Sequence, residues 1–265
     1  MPQTYEREGA GVVVAGRSQA TIDAAVSALR ADGARAAGIA CDVGDFSQVE
    51  ALSAFALETF GKIDIWVNNA GLSAPYGPTA AIPTATFMKV VNTNIIGLYN
   101  GSVIALRTMV PQRSGKLINL LGRGDTAKKG VAFQNAYSAS KTWVRSFTLA
   151  LAEENKEAGI GIFAFNPGLV DTDMLRYTEA VPGFENRLRV LETVMRLWAD
   201  GPDVAAQKAL WLASSATDGK TGLMVNVLTR QRVVSGLLNE GVRRLMRRPA
   251  PDMSLDIQTI VPERL

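Results

Sequence analysis

Tyr137-Ser138-Ala139-Ser140-Lys141 sets a phenol and an amine four residues apart. On a helix those two side chains share one face. A cation beside a phenol favours the phenolate, so the spacing predicts a poised proton donor with a lowered tyrosine pKa. Two further segments frame the pair: Val67-Asn68-Asn69-Ala70-Gly71 upstream and Asn166-Pro167-Gly168-Leu169-Val170-Asp171-Thr172 downstream. Gly71, lacking a side chain, lets a ligand approach the backbone closely. The chain contains no histidine. Histidine-based triads and the usual zinc or iron sites are therefore excluded, and no metal site is expected.

The elements that position these residues follow from hydrophobic pattern. Residues 11–15 (GVVVA) form a short apolar run expected to be a buried strand. Ser18 then caps a helix with Ile22, Ala25, Val26 and Leu29 inward, which Gly33 stops. Residues 36–40 are a second strand, leading into Asp42 and Val43. A capping box at 45–48 opens a helix with Val49, Leu52 and Ala56 inward, closed by Gly61. Strands are expected at 63–67, 116–120, 161–165 and 223–228, with helices at 84–110, 137–158 and 202–212 between them. Residues 175–200 are expected to be a helical lid over a pocket. Strands alternating with helices predict an α/β fold with a parallel, doubly wound sheet.

At 265 residues the chain is long enough for a full core, and its apolar share of 47% and charged share of 20% are ordinary globular values. The net charge of +3 does not argue for nucleic acid. A single cysteine, Cys41, fits a reducing, cytoplasmic compartment. No run has the length of a membrane span.

The YxxxK, NNAG and PG segments, in that order on alternating strands and helices, resemble the short-chain dehydrogenase/reductase family over about residues 5–228. The resemblance implies a Rossmann-type domain over 1–228 and an NADP(H)-dependent oxidoreductase interconverting a carbonyl and an alcohol on a small molecule, in a homo-oligomer (dimer or tetramer). Under it Tyr137 protonates the carbonyl oxygen. Lys141 holds the nicotinamide ribose and lowers the Tyr137 pKa. Asn94 matches the asparagine that holds a water for a proton relay; it also reads as a buried polar residue satisfied by backbone. Asn69, Ala70 and Gly71 lie against the cofactor. Asp42, with Val43, matches the adenine contact, or is a helix-capping carboxylate. Pro167, Gly168, Val170 and Thr172 match the segment that fixes the carboxamide. Arg17 stands where a carboxylate would bind a ribose 2′-hydroxyl; it can pair with a 2′-phosphate, which favours NADP over NAD.

Two departures go with the resemblance. The strand at 11–15 matches the family's second strand, residues 5–10 match the tail of its first helix, and nothing reads as TGxxxGxG. Without a central strand its neighbours would stand about 9–10 Å apart, their amides unpaired, unless the sheet rearranges. A start placed too late would account for this, as would a chain that binds no cofactor. The family's serine position holds Gly122 or Gly124, depending on the end counted from. Arg123 between them is expected to aim inward as the electrophile, or to be a solvated loop residue. Residues 229–265 are an extension: a basic amphipathic helix with Val234, Leu237, Leu238 and Leu245 beside Arg243, Arg244, Arg247 and Arg248, expected to pack on its own domain or a second subunit rather than on a membrane surface. Two rival readings remain: a non-catalytic scaffold, and a redox-neutral dehydratase or isomerase using Tyr137 and Lys141.

Overall fold

A computed structural model describes residues 1–6, 8–126 and 130–263; Arg7, within the expected helix tail, lies outside them. The chain begins with α1 (Pro2–Glu6), then β1 (Val12–Gly16), α2 (Gln19–Ala31), β2 (Ala36–Ala40), α3 (Phe46–Phe60) and β3 (Ile65–Asn68). α4 (Thr84–Val91) runs through a π-helical stretch, Asn92–Gly97, into α5 (Leu98–Gln112). Next come β4 (Lys116–Leu120), α6 (Asn135–Glu154) and β5 (Gly161–Asn166). α7 (Asp173–Arg176), β6 (Tyr177–Ala180), α8 (Glu185–Leu188), α9 (Val190–Trp198), α10 (Pro202–Ala213), β7 (Met224–Asn226), α11 (Arg230–Leu245) and β8 (Asp256–Thr259) complete it.

The caps act as the sequence predicts. Ser18 accepts from the Thr21 amide at the start of α2, and Asp45 from Ser47 and Gln48 at the start of α3. Gly61 closes α3 in the left-handed region at φ 80°, where a Cβ would be strained.

A parallel sheet runs in the order β3-β4-β5-β7. Its two central strands are buried on both faces, with Leu117, Ile118, Ile162 and Phe163 all fully buried. Leu117 and Ile162 pack with Met109 of α5 and Leu151 of α6; Ile118 and Phe163 pack on the other face with Ala209 and Leu212 of α10. Helices on both faces of a parallel sheet make the doubly wound arrangement expected, each large apolar side chain contributing about 1.5–3 kcal/mol.

β1 pairs only with β2 among the described residues, in a separate parallel pair. Between β1 and β3 lies a cavity of about 660 Å³. The sheet does not rearrange to join its two parts.

Two expectations need correction. The helix expected at 84–110 is interrupted by the π stretch, which carries Asn94. The span 175–200 is not wholly helical: β6 pairs in parallel with β8, so the expected lid contains a two-stranded sheet that recruits residues from the extension. α11 packs on α9, where a Cβ on Gly236 would collide with the Leu197 carbonyl and Trp198 Nε1 donates to Val233 O at 3.1 Å. Its apolar stripe faces away from that contact, leaving Val234, Leu237, Leu238 and Leu245 exposed.

Candidate active site

The site lies where β3, β4 and β5 end and α6 begins. A chain of buried amides fixes those strand ends. Asn68 Nδ2 donates to Asn119 Oδ1 at 2.8 Å and to Ser102 Oγ at 3.0 Å, while its Oδ1 accepts from Trp66 Nε1. Asn119 Nδ2 donates to Thr148 Oγ1 at 3.0 Å. A Cβ on Gly101 would collide with Asn68 Oδ1, so the glycine makes room for this chain. Buried polar groups satisfied in this way lock β3, β4, α5 and α6 into one arrangement.

Tyr137 and Lys141 lie one turn apart on α6, as predicted. Lys141 is 5% exposed, its Nζ donates to the Leu120 carbonyl at 2.9 Å and it stands 5.8 Å from the centre of the Tyr137 ring. The expected pKa effect is corrected. The Tyr137 phenol is pushed up to about 12, first by burial and then by the Asp125 carboxylate. Burial pulls the Lys141 ammonium down to about 8, against an opposing pull from Asp125. Desolvation of the buried phenol, with the Asp125 carboxylate beside it, sets the direction of the shift.

Gly122 lies directly beneath the phenol, so a Cβ there would collide with the Tyr137 hydroxyl. Of the two glycines considered for the serine position, Gly122 faces the site; Gly124, at φ 103°, turns the loop against Ser138. Arg123 is exposed, a correction to the expectation that it aims inward. The turn that closes with Asp125 N donating to Gly122 O directs Asp125 inward instead. Asp125 is 5% exposed and accepts from Asn166 Nδ2 at 2.9 Å. Sequence reasoning missed Asp125; its partner Asn166, in the PG segment, was the available signal.

Asn94 is 1% exposed, and its side chain is taken up by neighbours. Oδ1 accepts from Leu72 N at 2.8 Å, and Nδ2 donates to Leu72 O at 3.0 Å and Ser140 Oγ at 3.1 Å. The side chain clamps the loop after β3 to α6, which is the backbone-satisfied reading. Beneath that loop a Cβ on Gly71 would stand 3.7 Å from both Lys141 Nζ and Asn94 Oδ1.

The remaining residues frame the same edge. Asn69 and Ala70 are exposed at the end of β3. Asp42 accepts from Gly44 N at 2.9 Å, forming a turn, while Asp45 is the helix cap. Asn100 Nδ2 holds Val43 O at 2.8 Å. Gly168, at φ 75°, donates its amide to Asn166 Oδ1, and Val170 bridges to Asp200. Pro167 is half-buried, and Thr172 and Arg17 are exposed. A separate cavity of about 250 Å³ touches Asn135 and Ala136 at the start of α6, with Phe87, Ile82 and Phe133 on its apolar walls. No helix among the described residues is long and apolar enough to cross a membrane.

A family model described as short chain dehydrogenase matches residues 1–182. The chain is 33% identical over 181 residues to levodione reductase of Leifsonia aquatica, covering 66% of this chain and 67% of that one. A short chain dehydrogenase/reductase of Aspergillus oryzae is 30% identical over 221 residues, covering 83% and 84%. A ketoacyl reductase of a Nostoc species is 34% identical over 164 residues, covering 62% of this chain; this chain spans only 56% of its length. Among solved structures, a variant of actinorhodin polyketide ketoreductase with NADPH superposes with a TM-score of 0.75 at 27% identity, over 85% of this chain and 89% of that one. A 3-ketoacyl-(acyl-carrier-protein) reductase from Brucella melitensis with NADH gives 0.73 at 25%, over the same shares.

Proposed function

This chain belongs to the short-chain dehydrogenase family, and on that premise we propose that it is an oxidoreductase interconverting a ketone and a secondary alcohol on a small, largely apolar molecule, with NADP(H) preferred. The observation that carries the reading is the Tyr137–Lys141 pair, with Lys141 anchored on the Leu120 carbonyl and close to Gly71.

A Cβ on Gly71 would stand in ordinary contact with Lys141 Nζ, so the two border the same place, where the family resemblance puts the nicotinamide ribose. Arg17, exposed at the end of β1, suits a 2′-phosphate, and relatives bound to NADPH and to NADH support a nicotinamide cofactor in general. That cofactor, when bound, supplies or accepts the hydride. The chain's own residues move the proton. In the reducing direction the Tyr137 hydroxyl gives its proton to the substrate oxygen as that oxygen gains charge, so one hydride and one proton convert carbonyl to alcohol. A phenol with a pKa near 12 is fully protonated at neutral pH and so holds the proton to be transferred. Lys141, with a pKa near 8, exchanges protons with solvent near physiological pH and can restore the phenol. Asn94 holds the loop after β3 at a fixed distance from α6. With glycine at position 122 the substrate oxygen lacks the hydroxyl donor expected there, so Tyr137 carries the electrophilic role alone. The cavity beside Asn135 and Ala136 suits an apolar substituent of the substrate.

The test is NADPH oxidation with a panel of cyclic and β-keto ester ketones. Tyr137→Phe should lower kcat by ~10²–10⁴ while leaving the fold and NADPH binding intact. Near-normal turnover in that variant would make Tyr137 structural. The cavity between β1 and β3 supports a second reading for the chain on its own, a folded unit that holds the proton-transfer pair but binds nucleotide weakly.

A further inference from the structure

α11 has two faces of different character. Val233, Gly236 and Glu240, three and four residues apart, share the face turned to α9. Val233 O accepts from Trp198 Nε1 at 3.1 Å, a Cβ on Gly236 would collide with the Leu197 carbonyl, and Glu240 pairs with Arg196 at 3.8 Å. The opposite face carries Val234, Leu237, Leu238, Val242 and Leu245, which are 55%, 53%, 64%, 54% and 85% exposed. Gly241 lies among them, and a Cβ there would meet nothing within 4 Å. From Val234 to Leu245 the stripe runs about 17 Å at ~1.5 Å per residue. A contiguous apolar stripe held outward on a surface helix marks a binding face.

The charges around the stripe have one sign. Residues 229–250 hold six arginines and a single carboxylate, that of Glu240. The Glu240 side chain is only 12% exposed and is engaged by Arg196, Arg243 and Arg244, so its charge is matched within the molecule. Arg232 is paired as well, with Asp200 at 2.6 Å. Arg230 at the start of the helix, and Arg244, Arg247 and Arg248 at its end, are exposed. Cations therefore stand at both ends of the stripe.

We propose that α11 docks the protein on the surface of an anionic phospholipid bilayer. The helix lies in the plane of the interface, its Val/Leu stripe sunk at the acyl boundary and its terminal arginines on the headgroup phosphates. Charge complementarity selects this occupant. A second copy seated stripe to stripe would set arginines near arginines, with no outward carboxylate on α11 to offset them. A groove on another protein is a poorer match, because the stripe is all Val and Leu and lacks the aromatic anchors on which protein interfaces depend. The other face stays on α9 throughout, so docking needs no rearrangement of the fold. The inference is independent of the proposed reaction, and its test uses neither nucleotide nor substrate.

The experiment is co-sedimentation of the full chain with vesicles of phosphatidylcholine alone and of an equal mixture with phosphatidylglycerol. The protein should pellet with the mixed vesicles at ~0.1 M salt, and bind them about tenfold or more weakly at ~1 M, where the screening length falls from ~10 to ~3 Å. Replacing Arg244, Arg247 and Arg248 together by Gln should weaken binding about 100-fold, at ~5-fold per arginine. Leu238→Asp with Leu245→Asp should abolish it, and the milder Leu238→Ser with Leu245→Ser should weaken it about tenfold or more. Both positions are exposed, so circular dichroism melting should match the parent. Failure of the parent to pellet with mixed vesicles at low salt overturns the proposal. Binding undiminished in both leucine pairs also overturns it, since diffuse charge attraction would then be enough. Binding to polyglutamate as tight as to the vesicles would identify an acidic protein as occupant. A dimer in light scattering that dissolves in the leucine variants would identify a second copy. Either result overturns the proposal.

Discussion

Lys141→Met tests whether the buried amine costs stability in exchange for function. Burial lowers its pKa from 10.5 to about 8, so the folded state resists carrying its charge. Between those two values the unfolded chain binds more protons than the folded one, and stability rises with pH. At pH 7, below both, the protein bears the whole penalty, about 3 kcal/mol at ~1.4 kcal/mol per pKa unit. Methionine fills a similar volume and carries no charge. It gives up the hydrogen bond to Leu120 O, which costs about 1 kcal/mol. The variant should therefore be about 2 kcal/mol more stable than the parent at pH 7, a rise in Tm of about 4–8 °C at ~2–4 °C per kcal/mol. The gain should shrink through pH 8–10 and approach a small loss near 10.5. Urea denaturation at pH 7, 8, 9 and 10 measures this directly, while turnover falls at every pH. A variant less stable than the parent at pH 7, or a difference that does not change with pH, would refute the assignment of Lys141 as a desolvated cation.

Asp125→Asn keeps the shape and an acceptor for Asn166 but removes the charge that raises Tyr137; the tyrosinate absorbance titration should move to lower pH, and an unmoved curve would place the carboxylate out of range. Gly122→Ser should not improve turnover: its Cβ would meet the Tyr137 hydroxyl, displacing the ring at a cost of about 1–3 kcal/mol of stability, and a faster variant would show that the phenol has room to retreat. Arg17→Ala should erase most of any preference for NADPH over NADH in calorimetry, and equal affinities in the parent would remove Arg17 from the site.

The parts of the fold legible in the sequence were those governed by local rules. Ser18, Asp45 and Gly61 act through backbone geometry within a few residues, and the continuous apolar runs at β4 and β5 reflect strands buried on both faces. The Tyr137–Lys141 pair was legible because helical spacing alone brings it together. Its electrostatics were not, because they depend on how much water the fold excludes and on Asp125, which enters the site only because Gly124 adopts φ 103°. Arg123 was misplaced for the same reason: consecutive residues in a tight turn point in different directions, and the turn gives the interior to the carboxylate. β6 and β8 escaped notice because each is short and mostly polar, and they pair across the span from Ala180 to Asp256. The role of Asn94 was decided by Leu72 and Ser140, one distant in sequence and the other on a separate helix.

That β6–β8 pairing has a consequence for how the molecule is made. Among the described residues β6 is otherwise tied only by a single bridge to Tyr76, and the Thr84 amide at the start of α4 is held by the carboxylate of Glu263. A ribosome adding ~5–20 residues per second reaches Asp256 roughly 4–15 s after Ala180. Through that interval the edge of β6 that pairs with β8 stays open, while the sheet on which α6, with Tyr137 and Lys141, packs already has most of its strands. The Tyr137–Lys141 pair is therefore set early and the wall around it last. Chains stalled or cleaved before β8 would leave Tyr76, Leu188 and Met195 without Leu255 and Ile257 packed against them, and become natural clients for chaperones and proteases.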